Sequence, residues 1–160
     1  MTVYCPALQN SFSVGVRAMT GSSDAAKLVD RLLEEGIFHY AEPRIHFLAS
    51  DIEQMLNDSI QEVPQEGAIP IDMDTARAAI EFAYTLPRSL PAPEIAPEPD
   101  GEISFDWLGP DGKMFSVSVG RTGRVAYAGR FGEKSKVHGI EQLSESCPQE
   151  IVRGIAKATR

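Results

Sequence analysis

Histidine, cysteine and tryptophan are scarce in this chain, and each scarcity removes a class of chemistry. The 160 residues hold three histidines, two cysteines and one tryptophan. His39, His46 and His138 form no HxH or HExxH pair, and neither Cys5 nor Cys147 has a histidine close to it in sequence. The spacings that hold zinc or a comparable metal are therefore missing, and no metal, no cofactor and no catalytic residue is expected. Two lone cysteines make no disulfide framework, and without a secretory signal they read as reduced thiols. No apolar run approaches the roughly 18 residues of a membrane helix. The opening Met1-Thr-Val-Tyr-Cys-Pro6 has neither a basic region nor an apolar core of signal-peptide type, so a cytoplasmic location with no membrane partner is expected.

Positive charge is also in short supply. Lysine and arginine number 15 against 23 acidic residues, a formal charge of −8. That balance favours solubility and works against bulk binding to nucleic acid or anionic membranes. Hydrophobic content of 42% and charged content of 24% are those of an ordinary globular domain, and the length suits one core.

Residues 1–21 lack a sustained period and read as an N-terminal arm or a short edge strand, with Phe12, Val14 and Val16 alternating with smaller residues. Residues 22–160 read as a single domain. Ser22-Ser23-Asp24 starts a helix whose stripe is Ala25, Leu28, Val29, Leu32 and Leu33, and Gly36 ends it. After Pro43 a second stripe follows: Ile45, Leu48, Ile52, Met55, Leu56 and Ile60. Asp72 is placed to cap a third helix carrying Met73, Ala76, Ile80, Ala83 and Tyr84, which Pro87 stops. These helices occupy residues 22–86.

Prolines at 87, 91, 93, 97 and 99 make residues 87–101 an extended strap, with Leu90 and Ile95 as apolar anchors. Residues 102–140 then alternate with period two. Ile103, Phe105 and Trp107, then Phe115, Val117 and Val119, then Val125 and Tyr127 define one apolar face. Gly109-Pro-Asp-Gly112 and Gly120-Arg-Thr-Gly123 mark the turns. A weaker fourth strand is read through 135–140, and Pro148 opens a terminal helix within 147–158. One greasy sheet face and several striped helices must cover each other. The fold expected is α+β, with helices packed on one face of a small antiparallel meander of three to four strands.

The candidate sites are charged surfaces. Residues 121–139 gather Arg121, Arg124, Arg130, Lys134, Lys136 and His138 against Glu133 alone. Arg124 and Arg130 share parity, so both are expected on the sheet face opposite Val125 and Tyr127, together with Ser104, Asp106, Ser116 and Ser118. That face has no aromatic residue, which argues against base stacking. The acids Glu34, Glu35, Asp51, Glu53 and Asp58 line the outer sides of the helices and suit a basic surface. Gly129-Arg-Phe-Gly132-Glu-Lys134-Ser135 is not a phosphate loop: its glycines are too close and Glu133 precedes the lysine. Cys147 precedes a helix start, where a dipole can activate a thiol, and His138 is the nearest histidine to the basic loop.

The run Leu90-Pro-Ala-Pro-Glu-Ile-Ala-Pro-Glu-Pro-Asp-Gly-Glu-Ile-Ser-Phe-Asp-Trp107 is followed by Phe115-Ser-Val-Ser-Val119 and Tyr127-Ala-Gly-Arg-Phe-Gly132. Together they resemble a group of small bacterial proteins with an LPAPE strap, a PDG strand and an FSVS–YAGxFG–HG meander. The resemblance covers residues 72–158. It implies an accessory protein of mobile elements or defence regions, without catalytic residues. On that basis the expected function is a non-enzymatic interaction protein of a bacterial or phage conflict system: antitoxin-like, an anti-defence inhibitor, or an accessory subunit. Its partner would be a toxin, nuclease or defence complex. The alternatives are a nucleic-acid-binding module using 121–139 and a small enzyme using Cys147 or His138.

Overall fold

The computed structural model describes residues 43–61 and 67–160. The expected arm over 1–21, the helix from Ser22 to Gly36, and Glu34, Glu35, His39 and Cys5 lie outside the described residues. Within them the order is α1 (Pro43–Gln61), α2 (Met73–Thr85), β1 (Glu94–Pro97), β2 (Ile103–Leu108), β3 (Met114–Val119), β4 (Arg124–Arg130), β5 (Lys136–Gln142) and α3 (Gln149–Ala158). The fold is α+β. The strands form one antiparallel sheet in the order β1-β2-β3-β4-β5, and the helices pack on one of its faces.

The sheet has five strands where the sequence indicated three to four. The extra one is β1, cut from the proline strap. It pairs with β2 in the register Glu94↔Asp106 to Pro97↔Ile103. The Glu98–Gly101 turn joins them, closed by Gly101 N–H to the Glu98 carbonyl at 3.0 Å, with Gly101 at φ +82° where only glycine is relaxed. The rest of the strap is ordered too. The Trp107 indole donates to the Pro91 carbonyl at 2.9 Å, and the Arg44 guanidinium of α1 donates to the carbonyls of Pro87 and Leu90. Leu90 is buried and Ile95 half-buried, as anchors must be.

Period-two patterning places the core. Ile103, Phe105, Trp107, Phe115, Val117, Val119 and Val125 are buried on the helix-covered face, and Tyr127 is half-buried at its margin. Asp72 caps α2, its carboxylate accepting the Thr75 N–H at 2.8 Å. Ala76, Ala79 and Ala83 bring α2 close to the sheet, so Phe82 meets Phe105 edge to face at 5.0 Å. On α1 the stripe holds at Leu48, Ile52 and Leu56, but Ile60 is exposed because it lies in the last turn, past the packed length. In α3, Ile151 and Ile155 are joined by Gly154, where a Cβ would stand 2.0 Å from the Phe115 ring. Pro148 is the N-cap, one position before the helix it was expected to open.

Candidate functional site

The two edges of the sheet are unlike, and the backbone phase explains how. In an antiparallel ladder alternate residues bond to one neighbour, and those between them point to the other side. Glu98 N–H bonds Glu102 at 2.9 Å, so even-numbered residues of β1 face β2 and odd-numbered ones face outward. Pro97 is odd, and so are Pro93 and Pro99 beside the strand. Their missing N–H groups lie along the outer edge, which leaves Ile95 as the outward donor of β1. Proline in this phase closes an edge to strand addition.

At the opposite edge, Phe131 N–H bonds Ser135 at 2.8 Å and Leu143 N–H bonds Gly123 at 2.7 Å. Odd-numbered residues of β5 therefore bond β4. The N–H and C=O groups of Lys136, His138, Ile140 and Gln142 point away from the sheet and meet no further strand among the described residues. β5 has no proline and is almost wholly exposed, with Ile140 at 63% and Val137 at 37%. Its far end is held by the Gln142 side chain, which donates to the Thr122 carbonyl at 2.6 Å.

Side chains beside this edge divide by face. On the helix side, Gly139 leaves room for the Tyr127 ring, since a Cβ there would stand 2.4 Å from it. Tyr127 stacks on Phe115 at 5.8 Å and Phe131 stacks on the same ring at 6.4 Å. An aromatic ledge thus runs from the core to the open strand. On the other face a floor of Ala96, Ser104, Ser116, Ser118, Ala126 and Ala128 separates the charged margins. Asp106 at its centre accepts from the hydroxyls of Ser104 and Ser116.

The basic residues of 121–139 do not act as one patch. Arg121 lies 3.4 Å from Asp72 and 3.9 Å from Asp74, and Arg124 pairs with Glu102 at 3.0 Å. Arg130, Lys134 and Lys136 have no carboxylate partner among the described residues. Arg130 and Lys136 stand directly opposite in the β4–β5 register. Two further lysines that sequence reading missed come to the same end. Lys157 of α3 sits 4.3 Å from the centre of the Phe131 ring and donates to the Ser135 hydroxyl at 3.0 Å. Lys113 adjoins Gly112, beside which the Arg130 guanidinium lies. Only the tertiary fold brings 113 and 157 to 130–136.

The acids of α1 do not join this site. α1 contacts β1, at the other end of the sheet from β5. Asp51 and Asp58 are exposed there, and Asp58 accepts from Gln54 at 2.7 Å. Glu53 is half-buried, and burial raises its carboxyl pKa. Burial and the Glu53 charge together raise the Tyr84 phenol.

The residues of the enzymatic alternative are kept apart. Cys147 is buried beneath the sheet, and burial pushes its thiol up to about 11 against the lowering effect of the Thr85 hydroxyl, so it carries its proton at neutral pH. His138 is exposed on the opposite face of the sheet. A groove of about 770 Å³ between α2 and the β3–β4 turn is lined by Arg77, Glu81, Arg121 and Glu145 among others, without histidine or cysteine. Among the described residues no three metal-ligating side chains cluster, and no helix is long and apolar enough to cross a membrane. Comparison with protein-family models, curated proteins and solved structures returned no match.

Proposed function

We propose that this chain is a non-enzymatic interaction protein that takes an extended segment of a partner protein onto β5. The observation that carries the reading is the asymmetry of the edges. Proline removes donors from β1, while β5 keeps a full row of outward N–H and C=O groups. Strand addition uses such a row for affinity and the alternating side-chain positions for selectivity. The unpaired cations at one end of β5 supply steering toward an acidic surface. On the resemblance of residues 72–158, the partner proposed is a toxin, nuclease or defence complex. Nucleic acid is a weaker ligand for the same surface, because Arg121 and Arg124 are paired with carboxylates and, among the described residues, the strands place no aromatic side chain on the face away from the helices.

The test separates docking from folding. Ile140→Pro removes an outward N–H and leaves the β4 ladder intact, so the melting temperature should hold while partner cross-linking from a photoreactive residue at Gln142 is lost. Val137→Pro deletes a ladder bond and should lower the melting temperature. A partner retained by Ile140→Pro and lost with Asp51→Lys and Asp58→Lys would move the interface to α1 and reject this reading.

A further inference from the structure

We infer that the segment β5 accepts runs antiparallel to it, is apolar at the two positions facing Gly139 and Val137, and is acidic over the residues that follow toward its own C-terminus. This rests on the strand-addition reading and adds direction and sequence class to it.

Direction comes first. Every pairing in the sheet is antiparallel, the geometry with perpendicular and slightly stronger bonds. A segment antiparallel to β5 enters beside Gln142 and leaves beside Lys136.

The apolar positions follow from the ledge. Residues paired with Gly139 and Val137 project to the helix-covered side, where the Tyr127 ring crosses Gly139 and Val137 is 37% exposed. Side chains there find aromatic and aliphatic surface, and an apolar group buries it. One pair upstream, Glu141 lies on the same side and disfavours an acid.

The acidic stretch follows from the cations. The next residue pairs with Lys136, and those beyond it pass Ser135 and Lys134. Arg130 and Lys136 face each other in a pair whose backbone bonds do not connect, the closer of the two spacings, so they repel. A carboxylate opposite Lys136, on the side away from Arg130, offsets that repulsion. Lys157 and Lys113 extend the positive end. The chain as a whole is acidic, at −8, so an acidic segment is attracted here and repelled elsewhere, which fixes its register.

Two other occupants fit less well. A second copy of β5 in full antiparallel register would set Glu141 against Val137, Gly139 against Gly139 and Gln142 against Lys136. The ledge would stay bare and the cations unmet. The alternating segment Phe12-Ser-Val14-Gly-Val16 ends in Arg17, which the positive end repels.

Fluorescence anisotropy at physiological salt, with the full chain and end-blocked labelled peptides, decides the point. The probes are TKTVTVEEE and its reversal, EEEVTVTKT, equal in composition. The first should bind about ten-fold or more tightly than the second. Ile140→Pro should abolish its binding, and Arg130→Glu with Lys136→Glu should erase the preference. Equal affinity for both probes, or a preference that survives the charge reversal, overturns this inference. If neither probe binds but the natural partner is still lost with Ile140→Pro, the sequence class is wrong and strand addition stands. A dimer in sedimentation that Ile140→Pro dissociates would give the edge to a second copy and overturn it as well.

Discussion

Phe105 is the residue on which helix and sheet agree most closely. It is fully buried, faces Val117 in the register, and meets Phe82 of α2 edge to face. Truncating it removes the contact between layers as well as apolar area. Phe105→Ala should cost about 3–5 kcal/mol in urea unfolding, a large part of the stability of a typical domain. An unchanged midpoint would mean that the helices cover some other face. Cys147 offers a second measurement. Its folded thiol holds its proton up to about 11, whereas in the unfolded chain it ionises near the ordinary 9.0. Between those values the unfolded state binds fewer protons, so stability falls as pH rises through that window. Below it the contribution is fully present. Tyr84, also raised, adds to the same fall. Cys147→Ala should therefore flatten part of the decline in melting temperature above pH 9 and leave neutral-pH activity intact. A steep loss of activity at neutral pH in a folded Cys147→Ala protein would restore the enzymatic alternative.

At the scale of elements, legibility followed periodicity. β2, β3 and β4 were readable because one face is buried, and a slip of one residue would expose Phe105, Phe115 and Val117 together. α2 was readable because cap, stripe and stop all agree: Asp72, the alanine face and Pro87. β1 was read as strap and not as strand because proline is ordinarily a strand breaker. The parity of Pro91, Pro93, Pro97 and Pro99, all odd, already carried the pattern of an edge strand whose ladder side is proline-free. β5 was weakly visible for the opposite reason. None of the described helices packs closely on its inner side, so the apolar pattern at odd positions thins to Val137, Gly139 and Glu141. Gly139 and Gly154 were unreadable as packing residues. Each is set by a ring from another element, Tyr127 and Phe115, and sequence spacing contains no trace of either contact.

The whole molecule sorts its charge in a way the linear sequence hides. The cluster of basic residues in 121–139 splits once folded: Arg121 and Arg124 are absorbed by Asp72, Asp74 and Glu102, while Arg130, Lys134 and Lys136 gain Lys113 and Lys157. The acids of α1 lie by β1, at the other edge of the sheet. The sequence offered two charged surfaces, and among the described residues the acids of α1 and the basic β4–β5 end lie at opposite edges of the sheet. The two should therefore act independently, as sites without shared contacts do. Lys134→Glu with Lys136→Glu should slow partner association about ten-fold or more and flatten its dependence on salt, because those charges act mainly on encounter. Asp51→Lys with Asp58→Lys should change the rate by less than about two-fold, since their field is screened over roughly 8–10 Å at physiological salt. Stopped-flow association across a salt series measures both. A larger effect from α1 than from the hairpin would relocate the interface. Submicromolar nucleic-acid binding by the isolated chain, lost with the hairpin reversal, would make the ligand a polyanion in place of a protein strand.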